Sequence, residues 1–345
     1  MIIYIIIYLI VFLLSFMIKK NKFGFFDLLL LLVLILFSGL RYEVGTDYLL
    51  YRGIYEDASS NFLNTATNRT GFGFSLLINF FYNVLHADFK IFILFCSFIT
   101  ITNFYLFFKK NSSRPGLVIL LFVSLGYYTS SFNVFRQYLS LSIVLIGYLF
   151  FKKRKITPSI IFFIIGISIH SSSIIAVIAY FTVEKFIKKP LKLINVYIPI
   201  FIVYFFLDFF LSKILEYFTS YSIYLNYASN AGIGTYMMVL VYNFLLLVLF
   251  YPNKNLIINN NKEAKKFLNY IIIGAGLMLL QTKNTLFVRL VLDFNIFVPI
   301  ILTEFYEVRF KSKKLESLIF YLLCFIYYLV YINSFGDVIP YKSIF

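Results

Sequence analysis

Apolar runs of about 17–25 residues, the length a helix needs to cross roughly 30 Å of hydrocarbon, recur from one end of this chain to the other. Backbone groups in lipid have no water to bond, so a spanning segment is either helical or part of a closed barrel. The runs are continuous and do not alternate as barrel strands would. The expected fold is therefore all-α, a polytopic helical membrane protein occupying residues 1–345 as a single integral membrane domain. With 61% hydrophobic and 13% charged residues, a soluble globular domain is excluded.

A net charge of +16 would suit nucleic acid, but the cations sit in short clusters between apolar runs, as in cytoplasmic loops. No nucleic-acid partner is expected. The clusters are Lys19, Lys20, Lys22; Lys109, Lys110, Arg114; Lys152, Lys153, Arg154, Lys155; Lys185, Lys188, Lys189, Lys192; Lys254, Lys262, Lys265, Lys266; and Arg309, Lys311, Lys313, Lys314. Placing all six inside satisfies the positive-inside rule and puts the amino terminus outside. Residues 2–17 lack a basic leader and a small-residue cleavage site, so they read as the first span and not as a cleaved signal. Spans are expected near 2–18, 25–40, 89–108, 115–128, 133–151, 193–211, 232–252, 267–282, 286–306 and 315–332. The outer segments become 41–88, 127–136, 170–173, 212–231, 283–289 and 333–345.

Two further stretches bring the expected total to about 10–12 membrane segments, some of them re-entrant. Counting 71–85 as a span would invert every later loop, so it is expected to be an interfacial or re-entrant helix. The 156–184 stretch is bracketed by cationic clusters and its arms are too short to cross. A re-entrant hairpin with its tip at His170-Ser171-Ser172-Ser173 fits it best; one long helix is the rival.

An ionisable group at membrane depth is costly, and so marks a candidate site. Arg41, beside the turn Gly45-Thr46-Asp47-Tyr48, reads either as a snorkelling anchor or as an anion ligand; Asp47 reads as a helix cap or a working carboxylate. Arg136, followed by Gln137, lies where an apolar hairpin turns, and its planar guanidinium suits phosphate oxygens or a structural carboxylate pair. His170, ringed by serines, is a core histidine or a proton acceptor. Arg289 and Asp293 are four apart on one helix, either a self-compensated pair or a second oriented anion ligand. The stripe Tyr217, Tyr221, Tyr224 suits an interfacial belt or sugar stacking. Cys96 and Cys324 sit in apolar runs as packing residues. No zinc-type ligand spacing occurs, and Glu43, Asp47, Glu56 and Asp57 are too unspecifically spaced to predict a metal; none is expected, nor any cofactor.

Taken in order, Gly39-Leu40-Arg41, Gly45-Thr46-Asp47-Tyr48, Tyr51, Phe135-Arg136-Gln137, His170-Ser171-Ser172, Arg289 and Ile339-Pro340-Tyr341 resemble the EpsG family of bacterial exopolysaccharide proteins, a branch of the Wzy-type polysaccharide polymerases. One departure is Arg69, where the family often carries an acid; this leaves Asp47 the better carboxylate candidate. The resemblance implies a GT-C-like fold in the bacterial cytoplasmic membrane. It implies an enzyme joining undecaprenyl-pyrophosphate-linked oligosaccharides at the outer face, alone or with other polysaccharide-synthesis membrane proteins. In that chemistry Arg41, Arg136 and Arg289 would bind the pyrophosphate, with Gln137 and Tyr48 at the substrate, and His170 or Asp47 would take the acceptor's proton. A flippase or exporter of lipid-linked oligosaccharide is the alternative; it predicts cations along the whole depth and symmetric halves, neither of which is seen. A membrane acyltransferase and a structural partner in a synthesis complex are weaker rivals.

The topology is testable by single-cysteine labelling in intact cells after Cys96 and Cys324 are replaced. Cysteines at Lys153 and Lys188 should be shielded from a membrane-impermeant maleimide, and cysteines at Asp57 and Ser171 should react.

Overall fold

The structure is a computed structural model. It describes residues 1–59, 70–217, 232–284, 287–334, 336 and 338–343, with side chains also left undescribed at 208, 210–212 and 214–217. Of the expected outer segment 212–231, residues 218–231 with Tyr221 and Tyr224 lie outside the described residues, and Tyr217 is described in its backbone alone. Helices account for nearly all of what is described, with no strand among those residues beyond one isolated bridge between Arg41 and Ser343.

The chain divides into two compact units: Met1–Val177 with Leu302–Phe345, and Ile178–Ile301. In the first, the helix Phe89–Asn111 packs against Phe25–Gly39 and Phe135–Lys152, and Pro115–Ser124 packs against Ile2–Met17 and Lys314–Ser334. Pro115 opens its helix, where a missing N–H costs nothing. Gly116 allows that helix to meet the first one, because a Cβ there would collide with the Ser15 carbonyl.

Ile156–Ile169 lies along Phe135–Lys152. The Ser140 hydroxyl donates to the Gly166 carbonyl (2.6 Å) and the Ser159 hydroxyl to the Gly147 carbonyl (3.0 Å). Residue number rises on one helix as it falls on the other, so the pair is antiparallel. Its cationic end is the Lys152–Lys155 turn, and its other end carries Arg136 and His170.

Other cationic clusters gather at that same lysine end. Lys152 Nζ donates to Asn111 Oδ1 (2.8 Å), Lys109 binds Asp27 and the Lys22 carbonyl, and Arg114 pairs with Glu307 at 3.5 Å. In the second unit the remaining two clusters also meet: Lys266 pairs with Glu184 at 2.6 Å, and Asn269 bonds backbone at Lys189 and Leu191. There Ala264–Leu280 packs against Leu193–Tyr217, Ile233–Phe244 and Phe287–Asn295.

Three described helices are long and apolar enough to cross a membrane: Phe89–Asn111, Ile233–Phe250 (through a π-helical turn) and Lys314–Ser334. Shorter apolar helices include Ile2–Met17, Phe25–Gly39 and Leu193–Leu207. Two expected spans are interrupted. The 115–128 segment bends by 51° between Pro115–Ser124 and Tyr127–Asn133. Gly126 (φ +82°) makes the bend, pressed so close to the Tyr331 ring that no side chain would fit. The 286–306 segment splits into Phe287–Asn295 and Val298–Arg309, and near the split the Asp293 carbonyl accepts the Tyr180 hydroxyl. The 71–85 helix runs Phe72–Val84, about 20 Å at 1.5 Å per residue, short of a crossing. The 156–184 segment is not one helix: it breaks at His170, which is extended (φ −145°, ψ 108°).

Replacing Gly116 by Val should cost about 1–3 kcal/mol, since the obstacle is backbone and cannot yield. Gly53→Ala, at a helical position with open space, should be neutral or stabilising by up to about 1 kcal/mol. Thermal unfolding of the two purified variants checks both signs.

Candidate functional site

In the first unit four of the sequence motifs meet around the amino end of the Phe135–Lys152 helix. Gly45 (φ +100°) lies so close to the Phe132 carbonyl that a side chain would collide with it. The next residue, Thr46, donates its backbone N–H to Asn133 Oδ1 (3.2 Å), and Asn133 Nδ2 donates onward to the Gly336 carbonyl (2.8 Å). One asparagine thus ties the Gly-Thr-Asp turn and the carboxy-terminal segment to the residue three before Arg136.

Arg136 caps the other side of that corner. Its guanidinium donates to the Thr70 carbonyl and lies over the Tyr51 and Phe74 rings, 5.7 and 5.9 Å from their centroids. Its Nε is buried with no hydrogen-bond partner. Thr70 leads into Gly71-Phe72-Gly73, and Gly73 packs so tightly on Ser168 that only glycine fits. The same segment that receives Arg136 therefore touches the residues just before His170.

Ser140, one turn below Arg136 on the same face, binds both sides of the His170 break. Its hydroxyl donates to the Gly166 carbonyl and shares a 2.7 Å hydrogen bond with Ser173 Oγ. The antiparallel register that pairs residue 140 with 166 sets 136 level with 170. Neighbouring Ser172 has a buried hydroxyl with no partner.

Asp47 occupies the N-cap position of Tyr48–Glu56, but its side chain makes no cap hydrogen bond. Thr46 Oγ1 lies 3.4 Å from Asp47 Oδ1. Around it the rim charges are mutually engaged: Arg52 pairs with Glu56 (2.8 Å) and lies 3.9 Å from Glu43, which also meets Lys342 at 3.4 Å. The Glu56 carboxylate, then the Tyr42 hydroxyl, raise the Arg52 pKa, so it stays charged.

Arg41 sits behind this surface. It is 2% exposed, donates to the Ser38 carbonyl and hydroxyl and to Ser97 Oγ (3.4 Å), and lies over the Phe132 ring at 5.0 Å. Its cavity is about 10 Å³, one water's worth, so a diphosphate does not reach it in this conformation. Tyr48 and Gln137 are 1% and 3% exposed. Tyr48 is packed at 5.3 Å on Phe89, and burial raises its phenol pKa. Ile339-Pro340-Tyr341 closes the same end, Tyr341 stacking on Phe37 at 4.3 Å and donating to the Phe37 carbonyl (2.8 Å). Arg289 belongs to the second unit, exposed on Phe287–Asn295, whereas Asp293 is fully buried on that helix.

The sequence reading passed over Asn133, Thr70 and Ser140 as actors. Two signals were available: Asn133 stands inside the Asn-Val-Phe-Arg-Gln run, and Ser140 is four residues from Arg136.

Asn133→Ala should lose both of its hydrogen bonds and destabilise by about 1–3 kcal/mol, whereas Asn133→Asp keeps an acceptor for Thr46 and should lose less. Limited proteolysis of the 41–48 turn, read beside thermal unfolding, checks the order.

No curated protein and no solved structure matches the chain. The EpsG family model does match, over residues 24–343, and so takes in every motif at this corner as well as Arg289. The chain belongs to the EpsG family.

Proposed function

We propose that the protein is a membrane glycosyltransferase that polymerises oligosaccharide repeat units carried on undecaprenyl pyrophosphate. The observation that carries this reading is the gathering of Arg136, the His170 break and the Asp47 turn at the end of the first unit opposite its cationic clusters. With those clusters in the cytosol, that end faces outward from the cytoplasmic membrane. A lipid-linked donor is the sugar source suited to that face.

In this reaction the acceptor sugar's hydroxyl oxygen bonds to the anomeric carbon of the donor chain, and the carbon–pyrophosphate oxygen bond breaks. Negative charge develops on the departing undecaprenyl pyrophosphate and oxocarbenium character on the sugar. Arg136 is the cation we assign to the diphosphate. Its planar fork can take two oxygens, and the aromatic rings beside it exclude water and strengthen the interaction. Arg289, carried by the second unit, stays a candidate pyrophosphate ligand on the family resemblance alone. The acceptor proton passes to His170 or to Asp47. Arg41, Gln137 and Tyr48 support this surface from within, Arg41 through Ser38 and Phe132.

Separate Arg136→Ala, His170→Ala and Asp47→Asn variants, scored for polymer length and for accumulated single repeat units, test the assignment. Loss of Arg136 should lower polymerisation about 100-fold or more, with Arg136→Lys recovering only part of it because the fork is gone. Single units should accumulate on the outer face. Units stranded on the inner face would indicate a flippase, and full-length polymer from all three well-expressed variants would overturn the site.

A further inference from the structure

A guanidinium buried without a carboxylate needs another source of negative charge, because removing an ion from water carries a large penalty. Arg41 is in that position. It is 2% exposed, and no described carboxylate is ion-paired with it. Its described polar partners are the Ser38 carbonyl and hydroxyl and the Ser97 hydroxyl, all neutral, and they engage only one terminal nitrogen. Its Nε is buried with no hydrogen-bond partner. The Phe132 ring at 5.0 Å offsets part of the charge but accepts no conventional hydrogen bond.

Beside the guanidinium lies a cavity of about 10 Å³, lined by Ser38, Cys96, Ser97, Thr100, Ser131 and Phe135 as well as Arg41. That is room for one water or one monatomic ion, and too little for a phosphate, a carboxylate or a sugar. Ser97 and Thr100 are three apart on the Phe89–Asn111 helix, so both hydroxyls share the face that lines the space. We propose that this cavity binds a small monovalent anion, a halide such as chloride, as the fixed counter-charge of Arg41. A water there would satisfy a hydrogen bond but leave the charge uncompensated. The arginine also forms the backbone bridge to Ser343, so the anion would steady the junction between the first outer turn and the carboxy-terminal segment.

The test uses the full-length protein in lipid nanodiscs at constant ionic strength, with sodium gluconate replaced stepwise by sodium chloride or sodium bromide. Gluconate is too large for the cavity. A saturable rise in Tm with both halides is expected. Thr100→Val and Ser97→Ala, which each remove one hydroxyl, should raise the half-saturating chloride concentration about tenfold, the effect of one hydrogen bond to a charged group. Arg41→Gln should abolish the response. Crystals grown in bromide should show an anomalous peak within hydrogen-bond reach of Arg41 Nε, a readout that stands even if Arg41→Gln does not fold. Equal Tm in gluconate and halide, with no bromide peak, means that the cavity holds only water and overturns the proposal. Neither readout depends on polymerisation, so failure here and failure of the glycosyltransferase reading are separable.

Discussion

Wherever a helix is interrupted inside lipid or packed protein, the freed backbone groups must find other partners, and this requirement organises the molecule. An unsatisfied carbonyl or amide at membrane depth costs several kcal/mol. At the His170 break the Gly166 carbonyl accepts two donors, the Ser140 hydroxyl and the His170 N–H. Where the 286–306 segment breaks, the Asp293 carbonyl accepts the Tyr180 hydroxyl. At the Gly45-Thr46-Asp47 turn the Thr46 amide finds Asn133. At each of these three places a polar side chain from a neighbouring element bonds the backbone.

These same side chains assemble the candidate site. A continuous helix presents its side chains only laterally, with all backbone groups consumed. A broken one exposes residues such as His170 at the break, and the side chain holding the break fixes where they stand. Ser140 does this from the helix that carries Arg136, so the imidazole and the guanidinium are referred to a common element. Asn133 does the same for the Asp47 turn, three residues before Arg136. Beneath them Tyr51, Phe74, Phe92, Phe135 and Ile169 are buried in one apolar cluster, so the side of Arg136 that faces the Tyr51 and Phe74 rings meets packed hydrophobic side chains.

The two arginines of the first unit differ in a way their sequence surroundings do not announce. Both stand next to the ends of apolar segments, Arg41 just after Ser38-Gly39-Leu40 and Arg136 just after Asn133-Val134-Phe135. Arg136 opens a helix and turns toward the Thr70 carbonyl. Arg41 follows the end of a helix and folds back onto the carbonyl three residues earlier, so its charge is buried with the hydroxyls of Ser38 and Ser97. The first stays partly exposed beside the Tyr51 and Phe74 rings; the second is buried beside a cavity of about 10 Å³.

Fold class and most helix positions were legible from the chain alone, because hydropathy over some twenty residues is a local property that lipid reads directly. The break at His170 was legible for the same reason: its arms are too short to cross. What only the tertiary structure decided is which polar residues meet. Arg136 reaches Thr70 across 66 positions of sequence, and Thr46 reaches Asn133 across 87. Such pairings follow from how helices cross and which carbonyls are left open, and no local pattern records them. Burial was decided there as well. Tyr48, Gln137 and Arg41 look like rim residues in sequence, yet all three are buried, Tyr48 against Phe89 and Arg41 against Phe132 and Ser97, because side-chain depth depends on what the neighbouring helices leave room for.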